Sequence, residues 1–162
     1  MNKVWKNIEK INYKNCLECI EDFKKKNYKI SPWIEDIVKR NKFDFNNCSF
    51  PIKLIKIKVS DFGFTSATEL QEIYNKIKDS GFELVPPEIA IFARNLYEEQ
   101  EKGSWLRFAT PMNSMIDSDG VPHLPKLGRA LGFYFIETYW AYPKAIFHPH
   151  NEFVIMKKNE IS

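Results

Sequence analysis

Apolar residues recur along the chain with helical and with alternating spacing, and the switches between the two outline its elements. Residues 4–11 predict an edge strand. Over residues 15–26, Cys16, Cys19, Ile20 and Phe23 fall at helical spacing. Ser31-Pro32 opens a second helix over residues 32–40, because Ser is a good N-cap and Pro suits the first helical position. Its apolar side is Trp33, Ile34, Ile37 and Val38. Residues 51–59, PIKLIKIKV, predict a strand in which Leu54 and Ile55 break strict alternation. Ser66-x-x-Glu69 reads as a capping box ahead of a helix over residues 67–79, with Ala67, Leu70, Ile73, Tyr74 and Ile77 on one stripe. Ser80-Gly81 ends that helix.

The rest of the chain is organised around residues 84–112. Pro86-Pro87 turns an extended piece into a helix that buries Ile89, Phe92, Ala93 and Leu96, with Arg94 on its flank. A strand over residues 104–110 then sets Trp105, Arg107 and Ala109 on one side and Leu106, Phe108 and Thr110 on the other. A loop runs from Asp117 to Gly128, an aromatic strand follows over residues 130–140, and a proline-rich segment leads to a last strand over residues 153–157. Asn-rich residues 41–49 read as a linker. The expected organisation is a small N-terminal helical portion, residues 1–45, and an α+β domain, residues 50–162. In that domain helices pack on one side of a mixed or mainly antiparallel sheet that is rich in aromatics toward the C-terminus.

Composition adds that the chain can build a core. Of its 162 residues 44% are hydrophobic and 15% aromatic, 13 of them Phe, which excludes a disordered polymer. The net charge of +3 is scattered, and the Lys24-Lys25-Lys26 run sits where a helix C-terminus favours cations. Glu35 and Asp36 open the second helix where a DNA-reading helix would meet phosphates, so no DNA partner is expected. With no apolar run of membrane length, a soluble, cytoplasmic protein without a membrane partner is expected. Cys16-x-x-Cys19 has the spacing of half a zinc site, but Cys48 stands alone and no second pair exists; the thiols read as small buried hydrophobes.

Candidate chemistry is sparse. Asp117-Ser118-Asp119-Gly120 resembles the start of a calcium loop, yet the twelfth position is Gly128 instead of Glu, which leaves a polar Asp-Gly turn. His148 and His150 point to one face of an extended chain and, with His123, could supply three imidazoles to a metal. No strained Gly-x-Ser-x-Gly turn and no Gly-rich phosphate loop occur. The positive signal is the crowding of Trp105, Phe133, Phe135, Tyr139, Trp140 and Tyr142 beside Arg94, Arg107 and Arg129. Rings plus guanidinium groups suit planar anions, and the same rings serve equally well as core. Arg107 sharpens the choice, because a charge on a face meant for burial needs a partner.

Ile30-Ser31-Pro32-Trp33-Ile34-Glu35-Asp36-Ile37, Val59-Ser60-Asp61-Phe62-Gly63-Phe64, Leu84-Val85-Pro86-Pro87-Glu88, Gly103-Ser104-Trp105-Leu106-Arg107, Asp117-Ser118-Asp119-Gly120 and Asn151-Glu152-Phe153-Val154 carry a resemblance. The chain resembles a widespread group of bacterial and phage proteins without an assigned activity, departing from it in the longer, more aromatic residues 121–150. The resemblance implies a common fold and no catalytic residues. In its helix, Trp-led strand, Gly turn and late aromatic strand the chain is also loosely similar to phage anti-defence proteins that sequester nucleotide immune signals.

The leading expectation is a non-enzymatic recognition protein for a small anionic or nucleotide-like ligand, bound through Arg94, Trp105, Arg107, Arg129, Tyr139 and Trp140 with no cofactor. Two alternatives stand beside it. One is a metal-assisted hydrolase built from His123, His148 and His150 with Asp117 or Asp119; the other is an adaptor that forms homo-oligomers or docks a partner through its aromatic surface.

Overall fold

A computed structural model describes residues 3–159; the outermost positions of the two expected portions, 1–2 and 160–162, lie outside the described residues. The fold is α+β, with a mixed eight-stranded sheet. Near the N-terminus, β1 (Lys6–Ile8) is an edge strand, followed by α1 (Cys16–Lys25), β2 (Lys29–Ile30) and α2 (Pro32–Asn41). Both helices start as their caps dictate: the Asn15 side chain accepts from the Glu18 N–H and the Ser31 hydroxyl from the Trp33 N–H.

Strand β3 (Ile52–Lys58) explains why its sequence breaks alternation. Ile52 and Leu54 enter one core cluster, while Ile55 and Ile57 enter a second on the opposite side of the sheet, so both faces need apolar cover. Three helices, α1, α2 and α4 (Pro87–Phe92), pack in the first cluster. The exception to the expected one-sided packing is α3 (Leu70–Asp79), whose Leu70, Ile73, Tyr74 and Ile77 fill the second. That helix begins three residues later than Ser66-x-x-Glu69 predicts. Thr68 and Glu69 form β4, paired with β9 (Ile146–Phe147), and the first helical N–H groups, of Leu70 and Gln71, donate to the Ala145 and Pro143 carbonyls. A distant loop therefore satisfies the helix start that a serine cap was expected to satisfy.

The larger correction lies in residues 117–140. The expected loop followed by one strand is a hairpin of two eight-residue strands, β7 (His123–Ala130) and β8 (Phe133–Trp140), paired along their whole length. Leu131 and Gly132 turn it with φ of 53° and 79°, the left-handed pair that a two-residue hairpin loop demands. Pro125 hid the strand; it is tolerated because it sits one residue beyond the last pair of β7 with β6 (Trp105–Phe108). With β10 (Glu152–Lys157), the order across the sheet is β1-β3-β10-β6-β7-β8-β2, and β5 (Phe82–Glu83) pairs alongside β10. Strand β10 runs antiparallel to β3 and parallel to β6, which makes the sheet mixed. The N-terminal segment contributes both edges, β1 on β3 and β2 on β8, and its helices share one core cluster with α4. Among the described residues no helix is long and apolar enough to cross a membrane.

Candidate functional site

Pairing of β6, β7 and β8 lines up two rows of side chains on the face that α3 shares. Trp105, Gly128 and Phe135 form one row, and Arg107, Lys126 and Glu137 the next. Tyr139 follows on the same side of β8, two residues beyond Glu137. Gly128 is what seats the indole. A Cβ there would stand 2.4 Å from the Trp105 ring, so only glycine lets the ring lie across β7. The Phe135 ring is 6.1 Å from Trp105, and the Lys126 ammonium lies 4.5 Å from the indole centroid.

Arg107 sits between two rings, its guanidinium 5.8 Å from Tyr139 and 5.7 Å from Phe147. Its Nε is buried and has no hydrogen-bond partner among the described residues, and no carboxylate among them pairs with it. Burial pushes its pKa below the usual guanidinium value. Lys126 is pushed down as well, first by burial and then by the neighbouring Arg107, while burial raises the Glu137 carboxyl. Two cations thus sit among aromatic rings, with Glu137 paired across the strands from Lys126. Beside them opens a cleft of about 310 Å³, lined by Trp105, Arg107, His150, Asn151 and Glu152 together with Gly103 and Ser104.

The six expected ligand residues divide between the two faces of the sheet. Trp105, Arg107 and Tyr139 come together as described. Arg94 belongs to the opposite side, 1% exposed, where Nη1 donates to the Gly128 and Phe135 carbonyls at 3.1 Å each and Nη2 to the Tyr97 carbonyl at 2.7 Å. Burial brings its pKa down to about 10. Arg129 donates to the Gln100 carbonyl at 2.8 Å and lies against Tyr134. These two arginines brace the β7–β8 hairpin. Trp140 stacks near Trp33, 5.9 Å between rings, and both are nearly half exposed.

The three histidines do not converge. His123 is fully buried under Trp33 and Trp140, with Nε2 2.8 Å from Asp117 Oδ2 and Nδ1 3.0 Å from Thr138 Oγ1. The hydrogen bond from His123, followed by those from the Val121 and Asp119 N–H groups, holds the Asp117 carboxyl below the ordinary range. The Asp-Gly turn is thereby a local scaffold, with Asp117 as its acceptor. His148 and His150 lie near one another, and His150 lines the Arg107 cleft. Among the described residues no group of three His, Cys, Asp or Glu side chains is placed to hold a metal ion. The thiols are free, with Cys16 and Cys19 buried; desolvation raises all three, Cys19 and Cys48 to about 12.

Lys126 is the site residue that sequence reasoning missed, because it lies in the stretch read as a loop. A period of two running back from Gly128 through Lys126 to Leu124 was the available signal. Phe147, which closes the Arg107 slot from a two-residue strand, carried no such signal. Comparison of the chain with protein-family models, with curated proteins and with solved structures finds no match.

Proposed function

We propose that the protein is a non-catalytic receptor for a small, anionic, ring-bearing ligand of nucleotide type, held on the sheet face of Trp105, Arg107, Lys126 and Tyr139. The observation that carries this reading is Arg107, a partly buried residue whose buried Nε has no acceptor among the described residues, beside an open cleft. A desolvated charge without a counter-ion costs stability, and a phosphate or carboxylate oxygen delivered by a ligand removes that cost. The indole and phenol rings supply faces for a planar base, and Lys126 supplies a second cation for the anionic end. A receptor of this kind fits a sequestering role, to which the loose likeness to phage proteins that hold nucleotide immune signals lends support.

The test is a titration with adenosine monophosphate followed by tryptophan fluorescence and calorimetry. Charge-assisted hydrogen bonds contribute about 1.5–3 kcal/mol each, so Arg107→Ala weakens binding roughly 10- to 150-fold. Trp105→Ala also weakens it, whereas Trp140→Ala, on the opposite face, leaves it unchanged. Equal affinity in wild type and Arg107→Ala would remove this site from consideration.

A further inference from the structure

The His148-Pro149-His150-Asn151 segment is a rigid turn that the ligand reading leaves unused. Asn151 closes it from both directions: its N–H donates to the His148 carbonyl at 3.0 Å and its side-chain oxygen accepts the His148 N–H at 2.7 Å. The turn is also fastened to the end of β3, where the Val59 N–H donates to the Asn151 carbonyl and the Ser60 N–H to the Pro149 carbonyl. Pro149 fixes its own φ, so the two histidine Cβ atoms are held by backbone alone. Both imidazoles are exposed, 5.8 Å apart and within 10° of parallel. A zinc ion bonded to a ring nitrogen at about 2.1 Å lies roughly 3.2 Å from that ring's centroid, so two coordinating rings sit on the order of 5–6 Å apart. The observed spacing already meets that requirement, and exposed rings need only rotate about their Cβ–Cγ bonds to aim a nitrogen each at one point.

From this geometry we infer a divalent transition-metal site made by His148 and His150 at the mouth of the Arg107 cleft. Neutral imidazoles select Zn²⁺, Ni²⁺ or Cu²⁺ over Mg²⁺ and Ca²⁺, which take oxygen ligands. Two protein ligands leave at least two coordination positions to water or to an anionic oxygen. His150 lines the cleft, so an ion held there would sit beside it. To this extent the inference rests on the proposed ligand: the ion and Arg107 would grip one phosphate from two sides.

The experiment uses the tag-free full chain and Zn²⁺ or Ni²⁺ alone, by calorimetry, against His148→Ala and His150→Ala. Both side chains are exposed, so neither variant disturbs the core, and a thermal melt confirms that. One ion per chain with micromolar affinity is expected in the wild type, at least ten-fold weaker in each variant and unchanged in His123→Gln. No binding to the wild type, or equal binding to all variants, overturns the site and leaves the Arg107 reading standing. A second arm repeats the adenosine monophosphate titration with and without Zn²⁺. Tighter nucleotide binding with the ion, lost in His150→Ala, supports the shared grip. Metal binding with nucleotide affinity unaltered overturns that grip, and absence of nucleotide binding under either condition counts against the Arg107 reading alone.

Discussion

Arg94 and Arg107 bring the same group to opposite faces of one sheet and meet opposite fates. Arg94 reaches three backbone carbonyls from α4's end of the core, so its burial is matched by acceptors. Arg107 is partly buried against two rings, and its buried Nε has no partner among the described residues. Replacing Arg94 by Ala removes three hydrogen bonds donated by a buried guanidinium, and hydrogen bonds to charged groups contribute about 1.5–3 kcal/mol each. Urea denaturation of Arg94→Ala should therefore show a loss of at least about 3 kcal/mol. Arg107→Ala gives up the packing of its aliphatic stem but also relieves an unpaired charge, and its stability should stay within about 1 kcal/mol of wild type. A large loss for Arg107→Ala would identify the residue as a structural brace instead. The distinction was not legible in the sequence. Period two placed Trp105 and Arg107 on one face correctly, but whether an arginine finds carbonyls depends on β7 and β8, more than thirty residues downstream of Arg94.

At the scale of elements, the β7–β8 hairpin makes the site, and one glycine holds its geometry. Trp105 lies over Gly128 because nothing projects from that Cα. Gly128→Ala pushes the indole off β7, an overpacking that costs about 1–3 kcal/mol. We expect a lowered thermal midpoint together with a shifted tryptophan emission and weaker nucleotide binding; unchanged emission would show that the ring was never seated there. The helices were legible because their starts and stripes are local signals: Ser31-Pro32 and Pro86-Pro87 each mark a start that the fold keeps. Elements whose partners are remote were not. Thr68-Glu69 looks helical in isolation and is drawn into a strand by Ile146-Phe147, and β7 looks like a loop because Pro125 and Gly128 are breakers except where a sheet exempts them.

Across the whole molecule, α1, α2 and α4 pack on one face of the sheet, while α3 and the β4–β9 ladder pack on part of the other. The uncovered part holds Trp105, Lys126 and Phe135, all partly exposed, with Arg107 at its margin against Phe147. Apolar rings flanked by two cations and left half open are an incomplete layer, which under the proposed function a ligand completes. That claim is tested most directly by native mass spectrometry of the protein taken from cells without dialysis, wild type beside Arg107→Ala. An added mass in the nucleotide range is expected on the wild type and absent from the variant. Bare polypeptide in both, persisting when adenosine monophosphate is added in excess, would contradict it.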